Sequence, residues 1–378
     1  MNKSDFSVYE DRTDLVYLDS ACMSLKPQQV VNKVEEYYNN YPGCSGRSSH
    51  TISRKAAEEL QKARRKVASF IDTEKENLVL TSGTTESINM VAQGLEYNRV
   101  FISEKEHNSN RVVWQQQETE VKEIPVDEDL DLEYLKQNIR ENDILSLVHV
   151  SNLDGHELNI EEAFRIAKEK RAYTMLDAAQ SIPHMPFSVN DYEADFVAFS
   201  GHKMLGPTGT GALYVREQVQ NELKPLKYGG GSVHKTFKST SDFKDFPYSH
   251  EPGLKNYAGF IGFGEAAEYL DQIGMDSVQR HEKQLTQKLL DGLRKISYLK
   301  VYNQGPGIIS LSFNSMTCGE VSEIFDKRGI AVRSGMHCVH PWFAKNDIEP
   351  TVRASLYLYN DEEDIEKLLK VARKISML

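Results

Sequence analysis

Asp195-Phe196-Val197-Ala198-Phe199-Ser200-Gly201-His202-Lys203 is the most telling stretch of this chain. Its apolar run predicts a buried strand, and the strand closes on a serine, a histidine and a lysine, which holds an amine nucleophile at its carboxyl end. Gly206-Pro207-Thr208-Gly209-Thr210-Gly211 follows at once. Upstream, Tyr173-Thr174-Met175-Leu176 predicts a second strand, closing on Asp177-Ala178-Ala179-Gln180. A third, Leu78-Val79-Leu80, runs into Thr81-Ser82-Gly83-Thr84-Thr85-Glu86, after which Ile88, Val91, Ala92 and Leu95 recur at helical spacing. Glycine lets backbone approach an anion, threonine donates hydroxyls and a helix N-terminus offers free N–H groups. Thr84 and Thr85 therefore read as a phosphate cup or, alternatively, as a simple helix cap. Ser200, His202 and Lys203 favour the cup. No Gly-Lys-Ser/Thr follows, which excludes a nucleotide P-loop.

From about Asn77 short apolar runs alternate with helical patterns, the signature of a parallel sheet with crossover helices. Ile144 to Val150 and Ala212 to Val215 are further predicted strands, and Ala163, Ile166 and Ala167 mark a helix. The chemistry-bearing residues fall at strand carboxyl ends, where open α/β sheets bind ligands. Gly229 to Ser249 lacks periodicity and is expected to be a long loop near the site mouth. Beyond Gly262 the pattern changes to an amphipathic stretch from Ser277 to Ile296, strands at Ile308–Phe313, Ile330–Val332 and Val352–Leu356, and a last helix from Glu362. The expected division is a large α/β domain over residues 23–261, with residues 1–22 and 262–378 forming a smaller α+β domain.

With 378 residues the chain can bury a sizeable core. Its 45 basic and 56 acidic residues leave a net charge of −11, which argues against nucleic acid or an anionic membrane as the main partner. The first residues carry charges rather than a signal core, and no run approaches the ~20 apolar residues that span a bilayer. The cytoplasm is the expected compartment. Cys22, Cys44, Cys318 and Cys338 form no Cys-x-x-Cys pair, so no metal site is expected. An inert buried thiol is the default reading of each, and only Cys338 departs from it.

Lys203 and Asp177, in these settings, resemble the class V, fold-type I enzymes that carry pyridoxal phosphate. More segments extend the likeness: Glu106-His107-Asn108-Ser109-Asn110 with Trp114 and Gln115, His149-Val150-Ser151-Asn152, Arg333-Ser334-Gly335-Met336-His337-Cys338-Val339-His340-Pro341, and Val352-Arg353-Ala354-Ser355-Leu356-Tyr357-Leu358-Tyr359-Asn360. Tyr17-Leu18-Asp19-Ser20-Ala21 and Arg47-Ser48-Ser49-His50 carry it toward the N-terminus. The Cys338 segment is similar to the loop of group II (SufS/CsdA-like) cysteine desulfurases, whereas group I enzymes have a longer, differently spelled loop.

The resemblance implies that Lys203 holds the cofactor, His107 stacks on its ring, Asp177 meets its pyridine nitrogen and Gln180 its phenolic oxygen. Thr84, Thr85, Ser200 and His202 would bind its phosphate, and Arg353 and Asn152 the substrate carboxylate. Cys338 would take the sulfur of L-cysteine as a persulfide, leaving L-alanine. His337, with Arg333 and His340 near in sequence, is expected to favour its thiolate. A homodimer and a sulfur-acceptor protein, in iron–sulfur cluster assembly or another sulfur pathway, are also implied. The rivals are selenocysteine lyase or an aminotransferase, in which Cys338 is dispensable, and an inactive sulfur-relay scaffold, against which Lys203, Asp177 and Cys338 together argue. One departure stands out. The family's Glu-x-Gly-Thr-Pro, whose threonine reaches the partner subunit's cofactor phosphate, is Glu251-Pro252-Gly253-Leu254-Lys255-Asn256 here.

Overall fold

The protein is described by a computed structural model over residues 3–46, 48–314 and 316–377. After a short strand β1 (Val16–Tyr17), seven strands build the central sheet: β2 (Leu78–Thr81), β3 (Arg99–Ser103), β4 (Glu120–Ile124), β5 (Ile144–Val148), β6 (Tyr173–Asp177), β7 (Phe196–Ser200) and β8 (Gly211–Val215). Their spatial order is β2-β8-β7-β6-β5-β3-β4. The pairs from β7 through β4 are parallel, and β8 is antiparallel to both its neighbours. β5, β7 and β8 are buried at every residue, as expected of strands covered on both faces.

Side-chain alternation sorts these strands between two cores. Leu80, Leu145, Leu147, Leu176, Val197 and Phe199 face one, joined by Phe263 and Leu270 of the helix Tyr257–Ile273, which packs on the helices Gln28–Asn40 and Thr51–Phe70. Val79, Val100, Ile144, Met175, Phe196 and Ala198 face the other, closed by Ile88, Val91 and Trp114. This is the α/β, fold-type I architecture read from the sequence.

Gly229 to Ser249 is not the unstructured loop expected. It holds an antiparallel hairpin, β9 (Val233–Thr236) and β10 (Ser241–Phe243). Most of its residues are exposed, so it carries no alternating apolar pattern to mark it. β3 and β4 were likewise not anticipated, and β4 is a polar edge strand.

In the last third come β11 (Leu299–Tyr302), β12 (Ile308–Phe313), β13 (Ile330–Ala331), β14 (Arg333–Gly335) and β15 (Thr351–Ser355). An antiparallel sheet of order β11-β12-β15-β14 forms, while β13 pairs in parallel with β1. Val16 and Leu18 join Leu289, Leu311, Phe325, Val352 and Leu368 in a third core. The helix Tyr257–Ile273 runs unbroken across residues 261 and 262, where the division between domains was expected. Among the described residues no helix is long and apolar enough to cross a membrane.

Candidate active site

A cavity of about 170 Å³ opens at the carboxyl ends of β2, β5, β6 and β7. Its wall gathers Thr84, Thr85, His107, Asn152, Asp177, Gln180, Ser200, His202, Lys203 and Arg353 from six separate segments. Of the residues expected to act in catalysis or to bind cofactor or substrate, Cys338 alone stands outside that wall.

The anion end begins where β2 turns into the helix Thr84–Gly94. Gly83 has φ 149°, and a Cβ at Gly211 would lie 2.5 Å from the Gly83 Cα. Both positions therefore require glycine. The close approach lets the Thr84 N–H donate to Ser200 Oγ at 2.8 Å, with Thr84 Oγ1 2.7 Å from the same oxygen. Thr85 Oγ1 lies 2.8 Å from Ser109 Oγ. Burial, with Lys203 and Lys26 adding to it, pushes His202 down to about 4. Its ring is neutral at pH 7 and offers one N–H.

On the floor, Asp177 is almost fully buried and accepts the Ala179 N–H at 3.0 Å. Burial raises its carboxyl, and nearby Lys203 opposes the rise. Lys203 is lowered by burial and supported by Asp177. Gln180 Nε2 donates to the Ala21 carbonyl at 2.8 Å, while its Oε1 has no partner among the described residues. His107 is lowered to about 3 by burial first, then by the surrounding cations.

The turn bearing His107 is braced from beneath. Buried Glu106 accepts from Ser103 Oγ at 2.6 Å, Asn110 Nδ2 at 2.7 Å and the Val148 N–H at 2.9 Å. Trp114 Nε1 donates to Asn110 Oδ1 at 3.0 Å, and Gln115 points to solvent. Trp114 thus supports the site from the core.

Arg353, 1 % exposed, donates through Nη1 to the Asn152 carbonyl at 2.9 Å and through Nη2 to Asp19 Oδ1 at 3.3 Å. Asn152 Nδ2 in turn donates to the His337 carbonyl at 2.7 Å. His337 and Cys338 follow each other in the left-handed region, at φ 49° and 61°. Such residues cost of order 1–3 kcal/mol each and persist only where the surroundings hold them. The Asn108 N–H supplies one such hold, donating to the Cys338 carbonyl at 2.8 Å.

One expectation changes here. His337 does not present a cation to Cys338: its Nε2 pairs with Thr351 Oγ1 at 2.9 Å, and burial with Arg353 and Arg333 nearby pushes it down to about 3. The positive charge beside the thiol is Arg333, with Nη2 3.9 Å from Cys338 Sγ. In the segment that lacks the family's threonine, Lys255 and Asn256 both have partners within their own chain. Lys255 Nζ lies 3.4 Å from Glu251, and Asn256 caps the helix Tyr257–Ile273 by accepting the Gly259 N–H at 3.0 Å. Leu254 beside them is 74 % exposed. Of the segment 47–50, Arg47 lies outside the described residues, while His50 Nδ1 accepts from the Ser53 N–H and caps the helix Thr51–Phe70.

Cys22, Ser109 and Arg333 also line the cavity without having been assigned a place in it. Ser109 and Arg333 lay inside quoted segments and Cys22 directly followed one, but nothing in local spacing shows that they converge.

The arrangement suits pyridoxal phosphate. It offers hydroxyl and N–H donors at one end, a buried carboxyl for a ring nitrogen, and a lysine for an aldehyde. Among the described residues, Asn152 Oδ1, Gln180 Oε1, His337 Nδ1 and Arg353 Nε are buried there without partners, and such groups seek a ligand's polar atoms.

The aminotransferase class-V family model matches residues 16–368. A cysteine desulfurase of Haloferax volcanii is 38 % identical over 381 residues, covering 95 % of this chain and 89 % of its own. The apo structure of the cysteine desulfurase from Thermococcus onnurineus NA1 superposes with a TM-score of 0.94 at 32 % identity, over 99 % of this chain and 97 % of that one. The cysteine desulfurase CsdA of Escherichia coli, in its S-sulfonic acid form, gives 0.91 at 30 % identity, with the same coverage.

Proposed function

This chain belongs to the aminotransferase class-V family, and we propose that it is a pyridoxal-phosphate-dependent cysteine desulfurase that converts L-cysteine to L-alanine and holds the sulfur on Cys338. The observation that carries this reading is one continuous chain of contacts. The carboxylate-binding candidates Arg353 and Asn152 are hydrogen-bonded to each other and, through His337, to the strained turn that presents Cys338.

Thr84, Thr85, Ser200 and His202 would grip the phosphate, Asp177 the ring nitrogen, Gln180 the phenolic oxygen and His107 the ring face. Bound there, the cofactor supplies an electron sink for the electrons released at the substrate's α- and β-carbons. Lys203 Nζ, kept from full basicity by burial, holds the group covalently and moves protons. Arg353 and Asn152 orient the substrate through its carboxylate. Cys338 Sγ bonds to the substrate sulfur as the carbon–sulfur bond breaks, and the carbon takes a proton. Alanine leaves, and a persulfide remains.

Incubating the holoenzyme with L-cysteine tests this. Alanine should form in step with sulfide when a thiol reductant is present, and should stall after the first sulfur transfer without one. A homodimer in the cytoplasm that passes sulfur to an acceptor protein, for iron–sulfur clusters or another sulfur pathway, completes the proposal.

A further inference from the structure

The cavity wall contains a thiol, but it is Cys22 and not Cys338. Cys22 Sγ accepts from Arg333 Nη1 at 2.8 Å, and the other arm of the same guanidinium reaches Cys338 Sγ at 3.9 Å. A planar, permanently charged fork thus spans two sulfurs that are far apart in sequence.

The setting of Cys22 is unlike that of an inert core thiol. Cys318 packs among the apolar residues of the C-terminal core, and Cys44 Sγ lies against the Ser45 carbonyl. Cys22 is half-buried and lines the same wall as Lys203 and Arg353. Its turn is tied down on both sides. The Cys22 N–H donates to the Asp19 carbonyl at 3.0 Å, the Ala21 N–H to Ser355 Oγ at 2.9 Å, and Gln180 Nε2 to the Ala21 carbonyl at 2.8 Å. The unpartnered buried atoms Asn152 Oδ1 and Arg353 Nε belong to residues of the same wall, so this region is shaped for a polar occupant.

We propose that Cys22 is a second sulfur carrier, which takes the outer sulfur of the Cys338 persulfide and holds it within the cavity. The proposal rests on the desulfurase reading. The Cys22 sulfur attacks the outer sulfur of Cys338–S–SH, a new S–S bond forms on Cys22, and the S–S bond at Cys338 breaks. One persulfide and one thiol give one thiol and one persulfide, so no oxidant or reductant is consumed and the proton passes from one sulfur to the other. Arg333 touches both the attacking and the departing sulfur, where their negative charge develops. Freed of its sulfur, Cys338 can accept a second.

The test is to load the holoenzyme with excess L-cysteine without reductant, alkylate rapidly and weigh the peptides bearing Cys22 and Cys338. Both should carry one extra sulfur, removable by a reductant. Cys22→Ser and Cys22→Ala, with their yellow colour retained, should both carry sulfur on Cys338 alone, so that trapped sulfur per chain falls to about half. Cys338→Ser should carry none on either peptide. Sulfur on Cys338 but never on Cys22 overturns this proposal and leaves the desulfurase reading intact. A Cys22–Cys338 disulfide with released sulfide overturns it too, because attack would then have fallen on the inner sulfur. Sulfur on Cys22 in Cys338→Ser overturns the order of transfer. No alanine from the wild-type protein defeats the underlying activity instead.

Discussion

The backbone N–H of Asn108 donates to the carbonyl of Cys338 at 2.8 Å. The residue after the ring-stacking candidate His107 therefore holds the sulfur-accepting candidate in its left-handed turn, although 230 positions separate the two. The turns that carry His107 and Cys338 are thus joined through the backbone, and the first two expectations separate the contributions proposed for thiol and cofactor.

Replacing Cys338 with serine should leave the yellow colour and cysteine binding in place, because nothing that attaches the cofactor uses this thiol. Sulfur transfer should nearly vanish, since a hydroxyl does not ionise near neutral pH. Full turnover of cysteine by Cys338→Ser would move the assignment to selenocysteine lyase or another reaction of the family.

Lys203→Ala should lose the covalently held cofactor. Borohydride reduction of the wild-type protein followed by peptide mapping should place the pyridoxyl group on Lys203. A label on any other lysine removes the assignment.

Arg353→Ala should raise KM for cysteine by about tenfold to a hundredfold or more, because a hydrogen bond to a charged group is worth about 1.5–3 kcal/mol. The cofactor should stay bound, as no candidate phosphate contact uses this residue. Asp19 and the Asn152 carbonyl lose a partner as well, so a lower melting temperature should accompany the change. An unchanged KM would contradict the role given to this guanidinium.

Acid should destabilise the fold in a defined window. His149, lowered by burial to about 4, is neutral when folded but takes up a proton near pH 6.5 when unfolded. Above pH 6.5 it adds no pH dependence. Between about 6.5 and 4 the unfolded chain binds the proton and the native one does not, so stability falls with pH by about 1.4 kcal/mol per unit from this group. Glu106, raised by burial to about 7, acts oppositely between about 4.5 and 7, keeping in the fold a proton that the unfolded chain releases. Denaturant titrations from pH 7.5 to 4.5 should show His149→Gln with an acid limb shallower by about one proton. An unaltered slope would mean that this histidine is charged in the fold.

Leu254→Thr should raise cofactor affinity when cofactor is limiting, if the neighbouring subunit's phosphate site lacks the usual threonine. Leu254 is exposed and its neighbours are engaged within their own chain. A cofactor titration showing no change would mean that another group fills the role.

Much of the protein was legible in its residues alone. β5, β7 and β8 announce themselves because a strand buried on both faces must be continuously apolar, whereas the φ of 149° at Gly83 and the approach of Gly211 to it are seen only in the structure. Lys203, Asp177, Gln180, Thr84 and Ser200 do line one cavity near strand ends, while the roles expected of them come from the family resemblance. The polar hairpin β9–β10 and the edge strand β4 escaped because exposed strands have no buried face to imprint a period of two on their sequence. The charge beside Cys338 was decided by the tertiary structure. His337, its neighbour in sequence, turns to Thr351 and is held neutral, while Arg333 supplies the cation and shares it with Cys22, 311 positions away. Local spacing records which backbone forms a strand or a helix. It cannot record which side chains meet when β1, β14 and the end of β6 are drawn together, because that meeting is set by the packing of whole sheets, and each residue's contribution to it is a single contact.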